Sequence, residues 1–260
     1  MAHSEGIRLK KKYGQHFLRD ERVVQHMIDA VTIGPNTSVF EIGCGDGFLT
    51  QAILRTNIAR LFVFEIDPEW AKFIRDKFKS DTRLHMFEAN FLDQDLRMLD
   101  EHKPWTVLAN LPYQVTFPIL HRFHEVRHRL AEGVVMVQEE VAQKISKTHG
   151  RGYGFSSLFF QHYFEWKQLD KIPPTAFHPA PKVFSRLLYF KPKKTVTPIP
   201  QEAAFWEFIT TCFKQPRRML RNNLRQAHYD ESKLSEETLS LRAQQMSMED
   251  FLKVWDQIRT

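Results

Sequence analysis

Ser38-Val39-Phe40-Glu41-Ile42-Gly43-Cys44-Gly45-Asp46-Gly47-Phe48 is the run that decides the fold. A short apolar stretch leads into three glycines at alternate positions, and helical spacing follows from Phe48. Strand, glycine turn and helix in that order open a doubly wound α/β sheet. Glycine permits positive φ there and lets a ligand approach the backbone. The spacing is Gly-x-Gly-x-Gly, not the Gly-x-Gly-x-x-Gly of dinucleotide binders. No Lys-Ser/Thr pair follows, which excludes a P-loop. A tight turn whose glycines serve packing alone is the competing account.

The next strand, Arg60 to Ile66, ends at Glu65, and Asp67-Pro68 then supplies a helix cap and a first helical residue. A carboxylate at such a strand end commonly accepts hydrogen bonds from ribose hydroxyls. With no cradle for a pyrophosphate, the pair suits a nucleoside, and S-adenosyl-L-methionine is the expected cofactor. Arg83–Ala89, Thr106–Ala109 and Gly133–Gln138 read as further strands, the last followed by a helix through Ile145. Asp20–Val31 has helical spacing. Strand alternating with helix predicts a doubly wound, mostly parallel sheet. The aromatic-rich segments Leu158–Trp166 and Val183–Phe190 predict two last strands, paired antiparallel at one edge. Lys191–Gln201 is charged and proline-bearing, so it reads as a linker. From Glu202 the pattern is helical. The expected division is a cofactor-binding domain over 1–190, a linker over 191–201 and a small all-α domain over 202–260.

The chain has 260 residues, a formal charge of +6 and two cysteines. The charge suits a polyanionic partner. Two cysteines in unlike contexts fit a reducing compartment, and Cys44 reads as a small filler beside the cofactor. No apolar run approaches a membrane span and the N-terminus has no signal core. A cytoplasmic monomer with no membrane contact is expected. Arg8–Lys12 is a short basic arm. His121, His124 and His128 have no evident carboxylate or thiolate partner, so no metal is expected.

The fourth strand runs into Asn110-Leu111-Pro112-Tyr113. That turn supplies an amide oxygen, a main-chain carbonyl kept out of a helix by proline, and a flat ring. These parts suit an exocyclic amine of a nucleobase and a surface for its ring; a turn that merely caps the strand is the alternative.

Several motifs carry a family resemblance. Tyr13-Gly14-Gln15-His16-Phe17-Leu18, Glu41-Ile42-Gly43-Cys44-Gly45, Asn110–Tyr113, Pro173-Pro174-Thr175-Ala176-Phe177 and Pro181-Lys182-Val183-Phe184-Ser185 resemble the ribosomal RNA adenine dimethyltransferases. So does the late run Phe213-Lys214-Gln215-Pro216-Arg217-Arg218-Met219-Leu220-Arg221-Asn222-Asn223-Leu224. Order and spacing are similar to the KsgA type, which acts on small-subunit RNA. The resemblance implies a class I, Rossmann-like methyltransferase fold with a helical C-terminal domain and a role in ribosome biogenesis. It implies S-adenosylmethionine binding at Gln15, His16, Leu18, Gly43, Gly45, Glu65, Ile66, Asn90 and Asn110. Two positions depart from the family: His16 stands where Asn is usual, and Asn90 where Asp is usual. Two rivals stay open: a resistance-type dimethyltransferase of large-subunit RNA, and a non-catalytic assembly or transcription factor on the same fold.

For the reaction, the Asn110 side-chain oxygen and the Leu111 carbonyl are expected to accept the two amine hydrogens. Pro112 fixes the turn and Tyr113 would stack on the target base; Phe177 reads equally as a core aromatic or as a stacking face on the base's other side, and the resemblance implies stacking. For RNA, Lys214, Arg217, Arg218, Arg221 and Arg225 form an acid-free basic stretch. Arg217, Arg221 and Arg225 are spaced by four and would share a helical face that follows phosphates, while Phe213, Leu220 and Leu224 anchor it. Asn222 and Asn223 would add polar contacts.

Overall fold

The computed structural model describes residues 3–10 and 14–259, so Lys11, Lys12 and Tyr13 of the arm and the first motif lie outside it. Seven strands build one sheet: β1 Ser38–Ile42, β2 Arg60–Glu65, β3 Leu84–Glu88, β4 Trp105–Asn110, β5 Leu130–Gln138, β6 Phe164–Ile172 and β7 Ser185–Pro192. Their order is β3-β2-β1-β4-β5-β7-β6. The first five strands pair in parallel, and β7 runs antiparallel to β5 with Ser185 opposite Gln138. The chain steps outward from β1 to β3, then returns to place β4 on the other side of β1. That reversal opens a crevice at the carboxyl ends of β1 and β4, where doubly wound sheets hold their ligands.

The central strands have both faces covered, so they read as continuous apolar runs instead of alternating ones. Val39, Phe40 and Ile42 of β1 and Val107, Leu108 and Ala109 of β4 are all buried. Each large side chain so buried stabilises the fold by about 1.5–3 kcal/mol. The helices match their signals. α1 (Glu21–Asp29) is capped by Asp20 and buries Val23, Val24, Met27 and Ile28. α2 (Phe48–Leu54) follows the glycine loop. α3 (Pro68–Lys77) has Asp67 as cap, its side chain accepting from Glu69 N. α4 (Thr116–Glu125) follows the Asn110–Tyr113 turn, and α5 (Glu139–Ser146) follows β5.

Close Cα packing groups the chain into two units, 1–142 with 165–192 and 143–164 with 193–260. This grouping differs from the expected contiguous division, because residues 143–164 pack with the helical unit. Part of that segment overturns a secondary-structure expectation. Leu158 to Tyr163, read as strand, belongs to α6 (Phe155–Tyr163), and the strand starts only at Phe164. Aromatics favour strands. Here they recur at helical spacing, and Phe155, Phe159 and His162 all meet the Trp206 ring, with centroids 5.8, 5.0 and 5.9 Å away. The second unit also holds α7 (Glu202–Cys212), α8 (Leu220–Gln226), α9 (Glu236–Ser240) and α10 (Met248–Ile258). Residues 193–201 form no helix or strand.

Candidate functional site

The carboxyl ends of β1, β2 and β4 surround a cavity of about 340 Å³ in the first unit. Strand ends are held by one extra ladder bond each. Gly43 N donates to Phe64 O at 2.8 Å, Ala89 N to Glu65 O at 2.9 Å and Leu111 N to Met136 O at 3.1 Å. The glycine loop needs its glycines. Gly45 has φ +52°, and a Cβ there would stand 2.6 Å from the Phe17 ring. The loop therefore closes directly onto the Gly14–Leu18 segment.

Glu65 is buried at the floor. Its Oε1 accepts from Asp67 N at 2.9 Å, and its Oε2 from Gly45 N at 3.2 Å. Burial pushes its pKa up, opposed by those two amides. Oε2 also accepts from Cys44 Sγ at 3.6 Å, so Oε1 is the oxygen that keeps a further lone pair for an outside donor. Glu41 beside it is fully buried. Thr50 Oγ1 donates to its Oε2 at 2.7 Å, while Oε1 has no partner among the described residues. Burial pushes Glu41 up to about 8.

The N-terminal motif reaches the site through side chain and backbone alike. The Gln15 amide is used by the protein: Oε1 accepts from Lys10 N at 2.8 Å and Nε2 donates to Asp67 Oδ2 at 3.2 Å. Lys10 Nζ pairs with Asp67 at 2.7 Å and Glu69 at 2.8 Å. His16 donates from Nδ1 to Pro179 O at 2.7 Å, and its ring stacks on Tyr113 with centroids 5.9 Å apart. Asn90 Oδ1 accepts from Leu92 N at 3.2 Å and its Nδ2 donates to Asp93 at 2.8 Å, so this side chain serves first as a local cap.

Asn110 Nδ2 donates to His16 O at 3.1 Å. A main-chain carbonyl only accepts, which fixes the amide orientation and leaves Oδ1 as the acceptor. Tyr113 is clamped by a 2.6 Å hydrogen bond between its hydroxyl and Ser185 Oγ, and burial pushes its pKa up. Pro112 O accepts from Val115 N and Thr116 Oγ1, which binds the turn to the start of α4.

Gln15, His16, Leu18, Gly43, Gly45, Glu65, Ile66, Asn90 and Asn110 all line the one cavity, together with Leu111, Pro112 and Tyr113. Phe177 does not line it. It is 5% exposed, pairs with Leu18 in a short antiparallel ribbon and packs in the core, so its expected place against a base is not found. Glu41, Asp46 and Phe91 line the cavity although the sequence reading gave none of them a role in the site. A carboxylate inside the apolar Val39–Ile42 strand was the available signal for Glu41.

The basic stretch is arranged differently from expectation. α8 starts at Leu220, so Arg217 lies in the preceding turn and shares no helical face with Arg221 and Arg225. Pro216 lacks the donor a continuing helix needs. Asn223, expected to face RNA, is buried and staples the turn through Cys212 O, Gln215 O and Gln215 N. Arg221 pairs with Glu236, and Arg225 with Glu231 at 2.5 Å. Lys214, Arg217 and Arg218 are exposed, and Leu220 and Leu224 are buried anchors as expected. Among the described residues no three His, Cys, Asp or Glu side chains converge as a metal site, and no helix is long and apolar enough to cross a membrane.

The strand order and the glycine-loop cavity at the switch point are those of the class I methyltransferase fold. The fold is similar to that of the 23S rRNA methyltransferase ErmE (TM-score 0.73, 19% identity, 94% of this chain and 100% of that one). It is also similar to a dimethyladenosine transferase from Plasmodium falciparum (TM-score 0.76, 19% identity, 92% and 96%). The family described as ribosomal RNA adenine dimethylase matches residues 6–259, and the chain belongs to that family. Among its relatives, the ribosomal RNA small subunit methyltransferase A of Chlorobium phaeobacteroides is 35% identical over 99% of this chain and 93% of its own length. That of Streptococcus thermophilus is 32% identical over 98% and 93%. The protein is therefore an enzyme of rRNA adenine methylation.

Proposed function

We propose that this chain dimethylates the exocyclic amine of adenines in small-subunit ribosomal RNA, as a cytoplasmic step of ribosome assembly. The observation that carries the reading is the turn after β4. Asn110, Leu111, Pro112 and Tyr113 line one cavity, the Asn110 amide oriented by His16 O and the Tyr113 ring clamped by Ser185. The names of the relatives at 32–35% identity support the small subunit as substrate. Two free, buried cysteines suit a reducing compartment.

The cavity fits a nucleoside cofactor. Glu65 retains acceptor capacity for ribose hydroxyls, the exposed Ile66 side chain offers an apolar surface for a base, and Asn90 Oδ1 keeps one lone pair for a base amine. The buried Glu41 Oε1, which has no partner among the described residues, adds a polar atom beside Glu65. When bound, S-adenosylmethionine supplies a methyl already activated on a sulfonium. The protein's task is then orientation. Asn110 Oδ1 and Leu111 O hold the two hydrogens of the target amine, which draws its lone pair out of the ring and toward the methyl. Tyr113 carries the ring on one face. No general base is required, because the nitrogen is acidic once cationic and its proton leaves to water. The exposed Lys214, Arg217 and Arg218 would contact phosphates. Methyl counting tests the proposal. Purified small subunits lacking the modification should take up two methyls per target adenine, and naked large-subunit RNA should take up none. The reverse pattern would identify a resistance-type enzyme, and no uptake on either would leave a binding factor.

A further inference from the structure

The motif Pro181–Ser185 meets the cavity only through its last residue, whose Oγ holds Tyr113. The two residues before it point elsewhere. Val183 is 44% exposed and Phe184 45%. Ile66, Met98 and Met219 are the other exposed large apolar side chains among the described residues, and only Val183 and Phe184 are adjacent in sequence. Their backbone is fixed. Glu139 N donates to Phe184 O at 3.0 Å, and Ser185 pairs with Gln138. An apolar pair held outward on a rigid segment gains nothing for the fold from its exposure.

Charge and position point to one ligand class. Lys171 Nζ lies over one face of the Phe184 ring, 4.4 Å from its centroid. Lys182, which precedes the pair in sequence, is exposed. Neither lysine has a carboxylate partner among the described residues. Ser185 lies opposite Gln138, the last residue of β5, and Lys171 is the next-to-last residue of β6. The patch thus stands at the carboxyl end of β5, the edge of the sheet on which Asn110 ends β4. The Tyr113–Ser185 hydrogen bond ties the two places together at 2.6 Å.

We propose that Val183 and Phe184, flanked by Lys171 and Lys182, form a stacking platform for an unpaired nucleobase flanking the target adenine. The platform deepens the function proposed above and rests on it. An exposed aromatic ring with a cation over one face, and lysines without carboxylate partners nearby, is a combination that holds single-stranded nucleic acid without sequence readout, the base taking the ring's other face. The second base would be gripped by Phe184 while Tyr113 carries the target, and the Ser185 tether presets the spacing between the two rings.

The test uses the full chain and a short single-stranded oligoadenylate carrying 2-aminopurine, whose fluorescence is quenched on stacking. Wild type should bind and quench it. Phe184→Ala should weaken binding about 5- to 20-fold and restore fluorescence, from the usual contribution of one base–aromatic stack. Phe184→Trp should keep both properties, whereas Phe184→Leu, which keeps apolar area without a ring face, should lose the quench. Cofactor titration should be equal for all four proteins. If Phe184→Ala binds and quenches as wild type does, or wild type does not quench, the platform is wrong. Methyl uptake by small subunits, measured with the same wild-type preparation, reports separately on the proposed function.

Discussion

Asn110 Nδ2 donates to the main-chain carbonyl of His16 across 3.1 Å. The residue that ends β4 is thus aimed by the N-terminal motif, at the position where this chain departs from its family. The acceptor is backbone, so it is indifferent to the side chain at 16. His16 in place of the usual Asn leaves the orientation of Asn110 untouched, and its ring is used instead to hold Pro179 and stack on Tyr113.

Asn110→Ala should lower the rate of methyl transfer about 10²- to 10³-fold or more, the usual cost of losing a preorganised polar group at the reacting centre. Cofactor affinity should change little, because Glu65 and Ile66 remain. Asn110→Asp should fail equally, since a carboxylate cannot donate to His16 O. Single-turnover transfer and calorimetric titration separate the two effects. Transfer by Asn110→Ala at the wild-type rate would remove the residue from the reaction.

Glu65→Gln should weaken S-adenosylmethionine binding about 10- to 100-fold, the range for hydrogen bonds to a charged group. The amide must also turn a donor toward either Asp67 N or Gly45 N, both of which donate to Glu65 now. A modest drop in melting temperature should accompany the loss. Unchanged affinity in a calorimetric titration would exclude Glu65 from the cofactor site.

The site was legible in sequence where its signal is local. Glycines at alternate positions after a strand, a carboxylate closing the next strand and Asn-Leu-Pro-Tyr closing the fourth each carry their own backbone logic, and the sheet brings them together. What failed depends on distant partners. Phe177 is covered because it pairs with Leu18 in a ribbon spanning most of the chain, and nothing in Pro-Pro-Thr-Ala-Phe announces that pairing. α6 was hidden because its ring contacts are with Trp206, more than forty residues on. The supposed basic helix face gives up Arg221 and Arg225 to Glu236 and Glu231, acids that lie outside the acid-free run.

Glu41 makes folding stability depend on pH. Its folded value is about 8 against an ordinary 4.5, because burial disfavours the charge. Between those values the folded chain keeps a proton that the unfolded chain has released. Stability from this group is therefore complete below about pH 4.5 and declines up to about pH 8, with a slope of at most about 1.4 kcal/mol per pH unit. Glu41→Gln removes that slope and keeps an acceptor for Thr50. Its stability relative to wild type should rise between pH 5 and 8, an interval set by the two values. Parallel denaturant curves for both proteins across that range would show no divergence if Glu41 is ionised in the folded state.

The last prediction concerns the turn between α7 and α8. Lys214, Arg217 and Arg218 are exposed and carry no ion pair among the described residues, whereas Arg221 is partly covered and bound to Glu236. Neutralising the first three to Gln should weaken binding to small subunits and lower the log–log salt slope by about one for each phosphate left without its cation. Cofactor affinity should not move, because none of the three lines the cavity. Arg221→Gln should act in the opposite sense: little change in salt slope, but some loss of stability as the ion pair and the packing of its aliphatic stem go. Asn223, which staples the turn, provides the control for shape. Asn223→Ala should loosen the turn and reduce binding without removing any charge, so its salt slope should stay near wild type. A triple variant that melts normally and binds with the wild-type slope would mean that the turn is only solvated, and that phosphates are met elsewhere on the protein.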